Sequence, residues 1–288
     1  LLLGPNGQLG RDIQVAYAAA NSSFELVTLN RAQLDVAQLS SVSRVLENLN
    51  FDVLINCTSY HKTDEVEDNA KLAFTINSHA VQEMATACAA RDARFIHIST
   101  DYVFGGDRKC EQPLTEGDCP APVNVYGASK ALGETLALHA HADTVILRVA
   151  SLFGTAGASG KGGNFVETMI KLAGERESLK VVDDQFMSPT ATADIAKAIL
   201  ALLRQGAPAG IYHAVNSGSS SWFEFTREIF RRVGINTEVN PCSSSEFPTR
   251  ASRPSYSVLD NSKTNELLYP MPDWKDALDR YLKSKGHI

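Results

Sequence analysis

Tyr126 and Lys130 stand four residues apart in the segment Tyr-Gly-Ala-Ser-Lys. On a helix, residues with this spacing share one face, so that the phenol and the ammonium reach one ligand. The pair suits carbonyl reduction, because the phenol can donate a proton and the ammonium can lower the phenol pKa from about 10 toward neutrality. The spacing alone is not specific, since exposed amphipathic helices show it as well.

Thr100 and Asp101 directly follow the apolar run at residues 94–99. If this run is a strand of a parallel sheet, both side chains emerge at the carboxyl end of the strand, where open α/β sheets bind ligands. The Thr100 hydroxyl could then hydrogen-bond a substrate carbonyl. Taken in isolation, the cluster Ser99-Thr100-Asp101 is also typical of a cap or turn.

Gly4, Gly7 and Gly10 have the spacing of a dinucleotide-binding turn. Glycine permits the tight turn, lets the backbone approach a pyrophosphate, and allows close packing of helix on strand. The segment follows an apolar remnant and precedes a helical stretch, which is the context that the motif requires. We therefore predict that residues 4–10, including Gln8 and Leu9, bind a cofactor.

The apolar run at residues 24–29 is followed by Asn30 and Arg31, with no acidic residue at its end. An acid at this place accepts the 2′-hydroxyl of NAD, whereas a base meets the 2′-phosphate of NADP. We predict NADP(H), and NAD(H) stays open because Arg31 also suits a solvated helix start. Asp35 and Val36 are expected beside the adenine.

Composition excludes several classes of protein. The chain has 288 residues, of which 44% are hydrophobic and 21% charged, and a formal charge of −6 with acids and bases mixed. It has no basic stripe for nucleic acid, no apolar run of the roughly 20 residues that cross a bilayer, and no paired spacing for metal ligands. The five scattered cysteines indicate reduced thiols. We expect a cytoplasmic protein without metal.

Short apolar runs alternate with helical stretches through the first two thirds of the chain, which predicts an α/β fold with a doubly wound, Rossmann-like parallel sheet. The predicted strands are residues 24–29, 51–56, 94–99 and 144–150. The predicted helices are residues 8–20, 38–48, 70–91 and 124–140.

Beyond residue 150 the alternation loosens, which predicts a smaller C-terminal substrate-binding lobe. Residues 1–150 are expected to bind the dinucleotide, with 179–205 returning to that domain, and 151–178 and 206–288 to form the lobe. The glycine-rich residues 154–163 suit either a flexible loop that closes over a ligand or a surface insertion. The remaining predicted elements are helices at 165–173 and 192–204, extended chain at 179–182, a strand at 211–215 and a helix capped by Ser221.

Together these segments resemble the extended short-chain dehydrogenase/reductase family. Within it they are similar to the branch that reduces the 4-keto group of a nucleotide-linked 6-deoxy sugar, dTDP-4-dehydrorhamnose to dTDP-L-rhamnose, with NAD(P)H. The resemblance spans almost the whole chain and is carried by residues 4–10, 98–106, 122–130, 163–166, 183–190 and 253–260.

The resemblance also implies roles for particular residues. Thr100, Tyr126 and Lys130 match the catalytic positions. The cofactor positions are Ser99 and the stretch beneath the nicotinamide ribose, Cys57, Thr58, Ser59 and Tyr60. The substrate positions are Thr100, Asp101, Tyr102, Val103, Asn164 and Arg253.

Three departures from the branch bear on the sugar: Ser151 stands where many relatives have tryptophan, His61 where threonine is usual, and Met187 where glycine is common. His61 and His97 are expected to be packing residues without an evident partner. Two other functions stay open, a sugar-nucleotide epimerase or dehydratase with tightly bound NAD and a non-catalytic NADP-binding regulatory subunit. The expected partner is a nucleotide sugar, and a homodimer stays open.

Overall fold

Short strands alternate with helices along the chain, and a computed structural model describes residues 1–20, 24–106, 112–157 and 163–288. The strands are β1 Leu2–Leu3, β2 Thr28–Leu29, β3 Val53–Asn56, β4 Arg94–Thr100, β5 Thr144–Val149, β6 Leu152–Phe153, β7 Ser178–Val182, β8 Phe186–Met187, β9 Thr190–Ala191, β10 Gly210–His213, β11 Ser220–Ser221 and β12 Glu238–Cys242. The α-helices are α1 Gln8–Ala19, α2 Leu39–Glu47, α3 Thr63–Asp68, α4 Ala70–Phe74, α5 Ala80–Ala89, α6 Val125–Ala140, α7 Phe165–Glu175, α8 Thr192–Gln205, α9 Trp222–Val233, α10 Ser262–Leu267 and α11 Trp274–Lys285. Within these described residues, every helix is too short or too polar to cross a bilayer.

In the part of the chain that the structure describes, six strands form the central sheet in the order β2-β1-β3-β4-β5-β10, and every neighbouring pair is parallel. The chain moves outward from β1 to β2 and then returns to the other side of β1 with β3. This reversal of direction is the switch point at which open α/β sheets bind ligands, and it lies beside residues 4–10. The predicted doubly wound parallel sheet is confirmed.

Helices cover both faces of the sheet, as its apolar strands require. On one face α1 and α8 pack together, with Ile13 and Ile195 in a buried cluster with Ile96 of β4. On the other face α2, α5 and α6 cover β3 and β4, where Leu46 and Met84 are fully buried. The two layers hold the carboxyl ends of β1, β3, β4 and β5 at one edge.

A second apolar core lies between α7, α9 and α11, where Phe225, Trp274 and Leu278 are buried together. The parallel pair β7 and β12 and the antiparallel pair β8 and β11 complete this lobe. Ser221 caps α9 in a reciprocal capping box with Glu224, as the sequence pattern predicts.

The predicted division of the chain differs from the structure at two places. Ser178–Val182 pairs with Glu238–Cys242 outside the central sheet, so only α8 of residues 179–205 packs on that sheet. Gly210–His213, predicted in the lobe, is instead the edge strand beside β5. A strand pattern identifies a strand but not the partner with which it pairs.

Among the predicted elements, the strand at residues 24–29 is shortened in the structure and the helix at residues 70–91 is interrupted. Only Thr28–Leu29 of residues 24–29 is strand, and the side chains of Phe24 and Val27 before it are exposed. The predicted helix 70–91 is interrupted by a π-helical turn at Thr75–His79. Residues 158–162 of the glycine-rich segment are not among the described residues.

Candidate active site

The glycine-rich turn leaves the start of α1 open toward the sheet edge. Gly4 has a φ of +77°, and a Cβ on it would lie 3.1 Å from the Cys57 carbonyl carbon. A Cβ on Gly10 would collide with the Gly4 carbonyl oxygen and lie 2.9 Å from the Pro5 Cα. No side chain caps α1 at Gly7, so the N–H groups of its first turn are available to an anion.

A cavity of about 1150 Å³ extends from this turn to the lobe. Among the predicted site residues that line it are Gly4, Gly7, Gln8, Leu9, Gly10, Asn30, Arg31, Asp35, Val36, Cys57, Thr58, Ser59, Tyr60, Ser99, Thr100, Asp101, Tyr102, Tyr126, Lys130 and Asn164. Two predicted substrate residues lie elsewhere, since Val103 is fully buried and Arg253 does not line the cavity.

Tyr126 lies in the first turn of α6, and its ring meets the Tyr102 ring edge-on with 5.8 Å between the ring centroids. The Asn124 side chain caps this helix by accepting from the Gly127 backbone N–H at 2.7 Å. Burial raises the Tyr126 pKa to about 12, although hydrogen bonds with Thr100 and Ser59 act against the rise. The phenol is therefore protonated at neutral pH, which is the form that can donate a proton.

Asp101 is buried beside the cavity, at the end of β4. Its carboxylate accepts from Ser257 Oγ at 2.6 Å and from Thr100 Oγ1 at 3.0 Å. Burial raises the Asp101 pKa to about 6, and these hydrogen bonds limit the rise. The prediction that Thr100 and Asp101 emerge together at the carboxyl end of a strand agrees with this placement.

Lys130 is turned toward β4. Its Nζ lies 2.9 Å from His97 Nε2 and donates to the Ile98 carbonyl at 2.7 Å. Burial lowers the Lys130 pKa to about 7. The predicted lowering of the Tyr126 pKa by Lys130 is thus not found in this structure, because burial dominates at both groups. His97, predicted to have no evident partner, is bonded on both ring nitrogens, since its Nδ1 lies 3.1 Å from Asn56 Nδ2.

Asn77 of the π-helical turn, which is not among the predicted site residues, fixes the cavity wall at residues 59 and 60. Asn77 Oδ1 accepts from the Tyr60 backbone N–H at 2.8 Å and from Ser59 Oγ at 3.2 Å. Its Nδ2 donates to the Tyr60 carbonyl and to Ser129 Oγ. The turn thereby ties residues 59 and 60 to α6. Nothing in the helical periodicity of residues 70–91 indicates it.

A buried ion pair joins β5 to α6 behind this wall of the cavity. Arg148 of β5 binds Glu134 of α6 through two nitrogens, at 2.7 Å for Nη2 and 3.0 Å for Nε. Ser99 Oγ donates to the same carboxylate at 2.5 Å. The Ser99 hydroxyl, predicted to meet the cofactor, thus points its proton at Glu134.

Two of the predicted substrate residues in the second half of the chain have structural partners. Asn164 caps α7 by accepting from the Glu167 backbone N–H at 3.1 Å and also donates to Tyr281 Oη at 2.9 Å. Arg253 pairs with Asp64 at 2.8 Å, which ties the C-terminal segment to α3.

Aromatic side chains form the lobe side of the cavity. Phe165 lies 4.5 Å from Trp222 and 5.7 Å from Phe225, centroid to centroid, and all three line the cavity. Trp222 begins the helix that Ser221 caps, and the sequence pattern assigns it no place in the site. Of the three departures, Ser151 and His61 line the cavity, whereas Met187 is buried in the lobe core.

Comparison with known proteins gives consistent matches over nearly the whole chain. The family model described as RmlD substrate binding domain matches residues 1–286. A dTDP-4-dehydrorhamnose reductase of Mycolicibacterium smegmatis is 39% identical over 281 residues, which cover 96% of this chain and 83% of the relative. A dTDP-4-keto-6-deoxy-D-glucose reductase of Streptomyces niveus is 34% identical, with coverage of 96% and 94%.

A solved structure shows the same fold. The dTDP-4-dehydrorhamnose reductase of Bacillus anthracis, determined in complex with NADP, superposes with a TM-score of 0.89. It is 36% identical, and the match covers 98% of each chain.

Proposed function

The chain belongs to the RmlD substrate binding domain family, and from this premise we propose that it is an NADPH-dependent reductase of dTDP-4-dehydrorhamnose, with dTDP-L-rhamnose as product. The observation that carries the proposal is the convergence of Thr100, Tyr126 and Lys130 with the glycine-rich turn on one cavity of about 1150 Å³. Relatives named as reductases of dTDP-linked keto sugars support the substrate class.

The residues around the turn fit a dinucleotide. Side chains are excluded at Gly4 and Gly10, and the uncapped start of α1 suits a pyrophosphate. Among the described residues, Gln8 Oε1 is a buried acceptor without a partner, and a ribose hydroxyl could donate to it. Arg31 is 83% exposed at the cavity edge, where its guanidinium can meet a 2′-phosphate. This arrangement favours NADP(H) over NAD(H).

Each catalytic residue has a distinct task in this proposal. When bound, the reduced nicotinamide supplies a hydride to carbon 4 of the keto sugar. Tyr126 gives its phenolic proton to the resulting alkoxide oxygen, and the Thr100 hydroxyl, which donates to Asp101 in the structure, would turn its proton toward that oxygen. Lys130, when charged, stabilises the phenolate that Tyr126 becomes. A positioned acid of this kind contributes about 10²- to 10⁴-fold to the rate.

The test is an assay of NADPH oxidation with dTDP-4-keto-6-deoxyglucose, with and without a 3,5-epimerase. Oxidation that requires the epimerase supports the proposal. Oxidation without it supports a second candidate, reduction of the unepimerised sugar, which the Streptomyces niveus relative favours. Tightly retained NAD with dehydration or epimerisation would indicate the other enzyme class, and nucleotide binding without turnover a regulatory subunit.

The proposed function also includes the roles of individual residues, the cellular location of the enzyme and its assembly. We infer that the residues lining the turn bind the cofactor and that the lobe, through its aromatic wall at Phe165 and Trp222, faces the sugar nucleotide. We also infer a cytoplasmic enzyme that forms a homodimer. Cell fractionation and light scattering of the purified protein test these two statements.

A further inference from the structure

A chain of hydrogen bonds runs behind the candidate active site. The Thr58 backbone N–H donates to Asn56 Oδ1 at 2.9 Å, and Asn56 Nδ2 lies 3.1 Å from His97 Nδ1. His97 Nε2 lies 2.9 Å from Lys130 Nζ, which donates to the Ile98 carbonyl at 2.7 Å. The first donor and the last acceptor are backbone groups, so both ends of the chain have a fixed polarity.

The fixed end at Thr58 determines the direction of every bond that follows. A backbone N–H can only donate, so the Asn56 oxygen faces Thr58 and the Asn56 amide nitrogen faces His97. His97 Nδ1 must then accept and carries no proton. The proton of a neutral imidazole is therefore on Nε2, where it points at Lys130 Nζ. A nitrogen that accepts this bond needs a lone pair, which an amine has and an ammonium lacks.

A charged Lys130 does not fit the same chain. It would need a lone pair on His97 Nε2, which moves the ring proton to Nδ1 and sets it against the Asn56 amide N–H. Turning the Asn56 amide would relieve that conflict but would set an N–H against the Thr58 backbone N–H. Asn56 and His97 are both 0% exposed, so water cannot compensate for an opposed pair of donors.

Burial has a larger effect on the protonation state of Lys130 than the charged and titratable groups packed around it. Glu134, one turn along α6, favours the ammonium, but its carboxylate is held by Arg148 of β5. Burial raises the pKa of Cys57, after β3, and of Tyr126, on α6, in each case to about 12, so both are uncharged at neutral pH. Burial also lowers the pKa of His97 on β4 well below its ordinary value.

We propose that His97 is a positioning residue that holds Lys130 as an uncharged amine, and that NADPH binding draws Lys130 away from His97 as its Nζ takes up one proton from solvent. The inference rests on the proposed function for the identity of the cofactor. Ribose hydroxyls and anionic phosphates offer acceptors and negative potential to an ammonium in the cavity that Lys130 already lines. The charge and the position of Lys130 thus change together.

The first test measures the protein alone at pH 8 by NMR, with ¹⁵N-labelled histidine and ¹³Cε-labelled lysine. The His97 and Lys130 signals are assigned by their loss in His97→Gln and Lys130→Arg. We expect protonated Nε2 on His97 and the amine form of Lys130. A proton on Nδ1, or an ammonium at Lys130, would overturn the proposal without reference to any substrate.

The second test measures NADPH affinity from pH 7.5 to 9.5. Binding that takes up a proton weakens as the pH rises, and with a Lys130 pKa of about 7 the dissociation constant should rise up to about tenfold per pH unit. In Asn56→Asp the carboxylate accepts from both Thr58 N–H and His97 Nδ1–H, so that Nε2 accepts from a charged Lys130. We expect that variant to show a nearly flat profile.

The control is Asn50→Asp, which adds the same charge at an exposed position and should keep the slope of the wild type. Equal slopes in the wild type and Asn56→Asp, or a flat wild-type profile, would refute the coupling. Steep NADPH binding without reduction of either keto sugar would refute the proposed function and leave this inference standing. Reduction of a keto sugar together with a flat wild-type profile of NADPH binding would refute this inference and leave the proposed function standing.

Discussion

Asp101→Asn should make the protein more stable at alkaline pH than the wild type. The Asp101 side chain is buried next to Thr100, and its carboxylate has hydrogen bonds from Ser257 and Thr100. Burial nevertheless raises its pKa from 3.8 to about 6. Asparagine keeps the shape and an acceptor oxygen while removing the charge, and hydroxyl rotation at Ser257 allows its amide to donate instead.

The sign and the size of this stability change follow from the pKa values of Asp101 in the folded and the unfolded protein. Because the folded-state pKa lies above the unfolded one, the proton stabilises the fold below pH 3.8, and this stability is lost as the pH rises through 6. The whole shift of about two units corresponds to ~3 kcal/mol. Between pH 5 and pH 8 the wild type loses the part of this stabilisation that corresponds to about one pKa unit, which is ~1.4 kcal/mol.

Urea unfolding followed by circular dichroism at pH 5 and pH 8 measures the effect. Relative to the wild type, Asp101→Asn should gain ~1.4 kcal/mol in the free energy of unfolding over this interval. The control is Asp184→Asn, because hydrogen bonds from Ser243 and Ser244 outweigh desolvation and lower the Asp184 pKa, so that it stays ionised in both states above pH 5. If Asp101→Asn parallels the wild type at both pH values, the assignment of a raised pKa to Asp101 is wrong.

Three further predictions concern catalysis and the cofactor. Tyr126→Phe should lower kcat by about 10²- to 10⁴-fold while the NADPH dissociation constant, measured by fluorescence, stays near that of the wild type; turnover like that of the wild type would mean that another group donates the proton. Gly10→Ala should weaken NADPH binding about tenfold or more, since relief of its clash with the Gly4 carbonyl costs about 1–3 kcal/mol. Its control, Gly174→Ala, places a Cβ where nothing lies within 4 Å and should bind normally. Arg31→Ala should raise the dissociation constant of NADPH but not that of NADH, and an equal effect on both would remove Arg31 from the 2′-phosphate.

The sequence predicts the parts of the site that depend on local pattern. Glycine spacing after an apolar strand specifies the turn at Gly4 and Gly10, because only glycine allows the observed backbone approach there. Helical spacing likewise puts Tyr126 and Lys130 on one face, and both line the cavity. These features need no knowledge of distant contacts. The family resemblance, carried by the same motifs, is confirmed by the match to residues 1–286.

The parts that the sequence does not predict depend on contacts between distant segments. Gly210–His213 joins the central sheet because β5 has a free edge there, which the local pattern does not record. Val103 is itself a predicted substrate residue, yet its side chain packs with Phe104 and Leu114 in an apolar cluster. Arg253 matches a substrate position but is paired with Asp64, far away in the chain.

Burial explains why the chemistry at Tyr126 and Lys130 differs from the one that their spacing suggests. Spacing predicts which groups meet, and an ammonium beside a phenol would lower the phenol pKa. In the structure both groups are withdrawn from water, so the Tyr126 pKa rises to about 12 and the Lys130 pKa falls to about 7. Each shift favours the uncharged form. In the proposal made above, the charge that assists proton transfer is completed when the cofactor enters the cavity, and the His97–Lys130 contact is where the fold can control that step.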